Sequence, residues 1–209
     1  PGAYNTDQDV LIDVLESQLT GVQIVDVRAA LQARKTQLNA DETLYFKTDH
    51  HWTAQGAWAG YEALMTAWNE EPLKPGEDFI YQRAAEGFKG TQYSRSGAFW
   101  HPGDPIWTWT YTFPFDVQVV YDQSGEAQTS LFSDQRLDEK DKYMTYLDGN
   151  HALVEITTSS ASAEKLLVIK DSYAHVLTPY LAPHFSQITM ADLRYYRMPM
   201  SQLAQQMGA

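Results

Sequence analysis

The sequence predicts an α/β fold with a mainly parallel sheet, and three observations carry that expectation. Leu166-Leu167-Val168-Ile169 is a continuous apolar run, typical of a central strand buried on both faces. Helical and strand-like apolar spacings follow one another at both ends of the chain. Asp49-His50-His51-Trp52 and Ser172 each fall where a strand should give way to a helix, the place where open α/β sheets hold their active sites. With 209 residues and 44% apolar content, the chain can bury one substantial core and offers no clear linker. A single domain over 1–209 is expected.

Leu11, Val14, Leu15 and Leu19 recur at helical spacing after a possible cap at Thr6 or Asp7, and Val22 to Val27 reads as a short buried strand. Leu44-Tyr45-Phe46 is a second short strand candidate leading into Asp49. Thr53 can cap the next helix, in which Trp58, Tyr61, Met65 and Trp68 share a face. From about 72 to 160 the texture turns to Gly, Pro, Ser and aromatics, with alternating runs at Trp107 to Phe113 and Val117 to Tyr121. This segment reads as a β-rich insertion or an antiparallel extension. After the Leu166 run, Val176, Leu177, Tyr180 and Leu181 mark a helix that Pro179 should kink or shorten and Pro183 should end. Ile188 to Leu193 is the last strand.

The 15 basic and 27 acidic residues give a net charge of −12, which repels nucleic-acid phosphates and anionic membrane surfaces. Nucleic-acid binding is not expected. Cysteine is absent, which removes disulfides, thiolate metal sites and a cysteine nucleophile together. No apolar run approaches the ~20 residues that span a bilayer. The start, Pro1-Gly2-Ala3-Tyr4, reads as that of a processed or shortened chain.

A serine hydroxyl needs a base within hydrogen-bond reach, and that base needs a carboxylate to fix its tautomer. Asp49 and His51, two residues apart in an extended segment, point the same way while His50 points aside. Ser172 would be the nucleophile. The same residues also suit a duller arrangement, with Asp49 capping a helix and His51 packed in the core, and spacing alone does not separate the two. The Asp-His-His run invites comparison with two-metal phosphoesterases, but the further aspartates they require are not evident. Asp134, Asp138 and Asp141 alternate with Arg136, Lys140 and Lys142 as a solvated face would. Adjacent His50 and His51 are unusual spacing for a single zinc, so no metal is expected.

The run Leu44 to Thr53, followed by Gly56-Ala57, resembles the signature of the DHHW family of bacterial proteins, part of the wider SGNH hydrolase-like group that includes the alginate O-acetylation proteins. Gly90-Thr91 with Ser94, Asp141-Lys142-Tyr143, Gly149-Asn150-His151, Lys170 to His175 and Asp192 to Tyr196 fit it as well. The resemblance runs from about 20 to 197. It implies a flavodoxin-like α/β/α sandwich and acetyl-ester chemistry on a bacterial cell-surface or secreted polysaccharide, as esterase or O-acetyltransferase, outside the cytoplasm and without a cofactor. It places the acid and histidine ahead of the serine, at Asp49 and His51, with His50 in the variable position. An acetylated glycan or acetyl donor, and a polysaccharide-export or membrane-bound O-acyltransferase partner, are implied. Relatives usually carry more sequence before the histidine motif, so a truncated N-terminus is expected.

Under this reading the Ser172 backbone N–H, at a helix start, is an oxyanion donor, and Arg194 or Tyr195 supplies another or binds the acyl carbonyl. Asn150 and His151 are pocket candidates that equally suit a turn between strands. Lys170 and Lys47 flank the site, and Tyr45 is placed among the substrate-binding residues. Tyr93, Ser94 and Arg95 are loop-like cleft candidates. Phe99-Trp100-His101 and Trp107-Thr108-Trp109 suit either sugar stacking or the core. The rival function is a catalytically silent carbohydrate-binding or scaffold protein of a polysaccharide-modifying assembly; a metal-dependent hydrolase ranks below it.

Overall fold

The computed structural model describes residues 7–97 and 99–208. Helix α1 (Gln8–Gln18) starts at Asp7, whose side chain accepts from the Asp9 N–H at 2.9 Å. The other cap candidate, Thr6, and the start Pro1 to Tyr4 lie outside the described residues. The helical period is realised, yet α1 buries no residue, and Val10, Leu11 and Val14 are exposed. Val22 to Val27 is not a strand. It joins no sheet, its first valine is exposed, and it leads into a short helix α2 (Arg28–Lys35).

Leu44-Tyr45-Phe46 is also not a sheet strand. Tyr45 bridges Trp52, Phe46 N–H donates to the His51 carbonyl at 3.1 Å, and Thr53 N–H donates to the Leu44 carbonyl at 2.9 Å. The Asp49-His51 segment is therefore a reverse turn folded back on itself, not the end of a strand. Thr53 caps α3 (Ala54–Trp68), accepting from Gly56 N–H at 3.3 Å. Trp58, Tyr61 and Met65 are buried as their spacing requires, while Trp68 at the helix end is partly exposed.

The β-rich segment supplies strands to two sheets. β1 (Phe79–Phe88) and β2 (Asp104–Tyr111) form an antiparallel pair, followed on the main sheet by β3 (Val117–Tyr121), β4 (Ala127–Gln128) and β5 (Leu153–Thr158). α4 (Thr91–Ser96) lies between β1 and β2. β6 (Lys165–Lys170), α5 (Ala174–Leu181) and β7 (Gln187–Asp192) complete the main sheet, ordered β4-β3-β5-β7-β6, and α6 (Met200–Met207) ends the described chain.

The expectation of a mainly parallel sheet is wrong: among the described strands of this sheet only β6 and β7 run parallel, and the β3–β4, β3–β5 and β5–β7 pairs are antiparallel. Period-two patterning reports which face is buried, not strand direction. Direction comes from connections, and only the β6-α5-β7 unit provides a helical crossover between neighbouring strands. Nor is the Leu166 run central. β6 is an edge strand with Ile169 54% exposed, and the fully enclosed strand is β7.

The core lies between α3, α5 and the two sheets. Trp109 of β2 stacks on Tyr180 of α5 at 3.9 Å between ring centroids, and Tyr61 of α3 stacks on the same tyrosine at 5.5 Å. Pro179 sits inside α5, which continues to Leu181 before a 3-10 turn over Ala182–His184. No helix among the described residues is long and apolar enough to cross a membrane.

Candidate active site

Two turns meet at the site. The first, Thr48 to Trp52, is fixed from below by Asp104 of β2, whose carboxylate accepts the Lys47 N–H at 3.1 Å and the Thr48 N–H at 2.8 Å. Trp52 lies flat against α3. A Cβ on Gly60 would come within 2.8 Å of the indole ring, and one on Gly56 within 2.1 Å of the Leu44 carbonyl. The second turn, Asp171 to Tyr173, joins β6 to α5. Trp52 Nε1–H donates to the Tyr173 carbonyl at 2.9 Å, and the Tyr173 hydroxyl donates to the His50 carbonyl, so the turns are tied from both sides.

Asp49, His51 and Ser172 form one hydrogen-bonded chain. Asp49 Oδ2 meets His51 Nδ1 at 2.5 Å, and His51 Nε2 meets Ser172 Oγ at 2.7 Å. The His51 ring is stacked flat on Tyr143, 3.9 Å away at 9°, and the Tyr143 hydroxyl donates to the Ser172 carbonyl at 2.8 Å. Tyr143 thus sets both the plane of the imidazole and the height of the serine. The other Asp49 oxygen accepts from the Thr91 N–H at 2.7 Å and the Thr91 hydroxyl at 2.8 Å. Burial alone would raise the Asp49 pKa, but the bonds from His51 and Thr91 outweigh it and hold the carboxyl well below its usual range. Asp49 is an anion at neutral pH. His51 then keeps its proton on Nδ1 and offers Nε2 to the serine.

These groups open into a cleft of ≈ 450 Å³ lined also by Lys89, Gly90, Arg95, Lys140 and Arg194. Beneath it lies a buried charged network. The Lys170 ammonium, fully enclosed, donates to His175 Nε2 at 2.6 Å and to Asp192 at 3.1 Å, and Asp192 is forked to Arg194 at 2.9 and 2.6 Å. Burial pushes the Lys170 pKa down against the opposing pull of Asp192. Burial first, and then the Lys170 charge, lower His175 to about 3, so this ring is neutral and carries its proton on Nδ1.

Asp49, His50 and His51 could each turn one ligand atom toward a common point, the three atoms lying within 4.8 Å of one another. Both nitrogens of His51 are already engaged, by Asp49 and Ser172. A cation there would have to break the chain just described.

The model of the DHHW protein family matches residues 32–191. The chain belongs to the DHHW family. A DHHW family protein of Eubacterium siraeum superposes with a TM-score of 0.79 at 26% identity, over 98% of this chain and 67% of its own. PatB1 of Bacillus cereus, solved with a sulfonyl adduct, gives 0.66 at 22% identity over 95% of this chain and 69% of its own, a likeness of fold. No curated protein matches the sequence.

Of the remaining sequence candidates in this DHHW chain, Asn150 and Arg194 line the cleft and are joined through Arg194 to Asn150 Oδ1 at 3.1 Å. Ser94 and Arg95 line it as well. The others lie elsewhere. His151 turns away to Asp122 at 2.9 Å and stacks on Tyr121, Tyr195 stands exposed beneath the Arg194 guanidinium, and Tyr45 is an exposed bridge partner of Trp52. Lys170 is not a cleft residue but the buried support of His175 and Asp192. Thr91, Tyr143 and His175 were not singled out by residue chemistry. Their signal in the sequence is that they sit in stretches similar to the family's.

Proposed function

We propose that this DHHW chain carries out serine-dependent acetyl-ester chemistry on a bacterial cell-surface or secreted polysaccharide, as an O-acetyltransferase or acetylesterase outside the cytoplasm. The observation that carries the reading is the continuous Asp49–His51–Ser172 chain at 2.5 and 2.7 Å. His51 Nε2 takes the Ser172 proton as Oγ attacks the acetyl carbonyl, forming the C–O bond and an oxyanion. His51 then returns that proton to the departing alcohol as its C–O bond breaks, leaving acetyl-Ser172. In the second half, His51 deprotonates a sugar hydroxyl or water as it attacks the same carbonyl, and then returns that proton to Ser172 Oγ as the Oγ–acyl bond breaks. Asp49 keeps the imidazole in the required tautomer. The oxyanion is served by the Ser172 backbone N–H and by Arg194, which lines the same cleft. The polysaccharide and an acyl-supplying membrane or export partner follow from the family resemblance.

A sulfonyl electrophile tests the serine directly, since a serine hydroxyl is sulfonylated readily only when a neighbouring base activates it. Phenylmethylsulfonyl fluoride should add one sulfonyl group to the chain, mapped to Ser172, and chromogenic acetyl-ester turnover should fall by roughly 10⁴-fold or more in Ser172→Ala and His51→Ala. A folded, unsubstituted chain that neither labels nor turns over would overturn the enzyme reading in favour of a silent glycan-binding protein.

A further inference from the structure

The cleft over Ser172 does not stop at the triad. A second cleft of ≈ 440 Å³ adjoins it, and Lys89, Ser94 and Lys140 line both. Tyr93 and Phe99 make its aromatic wall, with ring centroids 5.9 Å apart at 83° and Phe99 74% exposed. Lys89 Nζ stands 4.9 Å over the Tyr93 ring, and Lys142 is tethered by its ammonium to the Leu137 carbonyl.

The charge here runs against that of the whole molecule. On a chain of net charge −12, Lys89, Arg95, Lys140, Lys142 and Arg194 gather around the joined groove, five of 15 basic residues. The acids lining the groove are Asp49, Glu139 and Asp141, and Asp192, shared with the buried Lys170, is forked to Arg194 from behind it. Asp49 is engaged by His51 and Thr91, and Glu139 by Arg136 at 2.9 Å. Burial raises the Asp141 pKa. A groove that is locally positive within an acidic protein concentrates anions and repels little of its own ligand. The C–H face of a pyranose suits an exposed aromatic ring, and an ammonium beside that ring suits a charged substituent on the same sugar.

We infer that the joined groove binds an anionic saccharide of more than one unit, with a neighbouring carboxylate- or phosphate-bearing sugar stacked on Phe99 and Tyr93 and held by Lys89 and Lys140. Which unit reacts rests on the acetyl-Ser172 reading; the charge recognition stands on the groove itself.

Calorimetric titration of the full chain carrying Ser172→Ala, which binds without turnover, tests this. Hexagalacturonate, a mannose-6-phosphate oligosaccharide and neutral cellohexaose are compared at low and high salt. At least one charged ligand should bind roughly tenfold tighter than cellohexaose at low salt and lose that margin at high salt. The better of the two charged ligands names the recognised group. The margin should shrink severalfold when Lys89→Gln and Lys140→Gln are added, and Phe99→Ala should weaken all ligands together. Equal affinity for charged and neutral ligands, or a margin indifferent to the two lysines, would overturn the inference. Ester turnover of the unsubstituted chain is read separately. A chain with no turnover and an intact charge margin supports the groove and overturns only the chemistry.

Discussion

Asp49 uses its two oxygens for different purposes, one for His51 and one for Thr91, and the consequences separate experimentally. Asp49→Asn keeps the shape but permits the wrong imidazole tautomer, and ester turnover should fall by about 10⁴-fold. Thr91→Val removes one hydroxyl donor and leaves the backbone one, so Asp49 stays ionised at neutral pH and turnover should drop only a few-fold. His175 gives a stability signature. Its folded pKa is depressed from ~6.5 in the unfolded chain to about 3, so its contribution is complete above ~6.5 and is lost as pH falls toward 3. Asp49 and Asp192, also depressed, add losses of the same sign at lower pH. The urea midpoint should therefore decline as pH falls below ~6.5, and His175→Gln should flatten the upper part of that decline. Residue types made the Asp49–His51–Ser172 contact legible, because each names its chemistry. Tyr143 and Thr91 were not legible, because a stacking ring and a hydroxyl donor look like any other tyrosine and threonine until the fold aims them.

At the scale of elements, the site depends on backbones that approach more closely than a side chain permits. A Cβ on Gly90 would stand 2.4 Å from Asp49, so Gly90→Ala must push the carboxylate from His51; turnover should fall by roughly 10²-fold with only a modest change in melting temperature. Trp52→Phe keeps most of the packing on α3 but removes the bond to the Tyr173 carbonyl. It should cost about 1 kcal/mol in urea unfolding and loosen the register between the turns, seen as a larger loss in kcat than in KM. Helix α3 is readable from sequence because its apolar period is long and buried, and the short α5 because its apolar residues are nearly all buried. Val22 to Val27 and Leu44 to Phe46 misled for a common reason: a short apolar run fits a strand, a turn or a covered coil equally well, and only a partner strand decides. α1 shows the converse, a correct helical period with no described surface to cover.

For the whole molecule, sequence reading found the mixture of helices and strands but not the arrangement of the sheet. The apolar run of β6 promised a central strand, yet it pairs only with β7, and β5 occupies the other side of β7 from within the β-rich segment. Strand order is a property of long-range pairing that no local pattern encodes. The buried Lys170–Asp192 pair spans β6 and β7 at that boundary, and Asp192→Ala, which strands an enclosed ammonium, should destabilise the fold by about 3–5 kcal/mol in urea. One feature of the site reaches into the life history of the chain. His51 and Ser172 are 121 residues apart in sequence, and the helix, turn and strands that carry them must all be docked before Nε2 finds Oγ. Closing so long a loop is an entropically late event. During refolding, tryptophan emission and secondary structure should recover before reactivity toward a sulfonyl fluoride, so that the nascent chain passes through its most aggregation-exposed stage with its serine still inert.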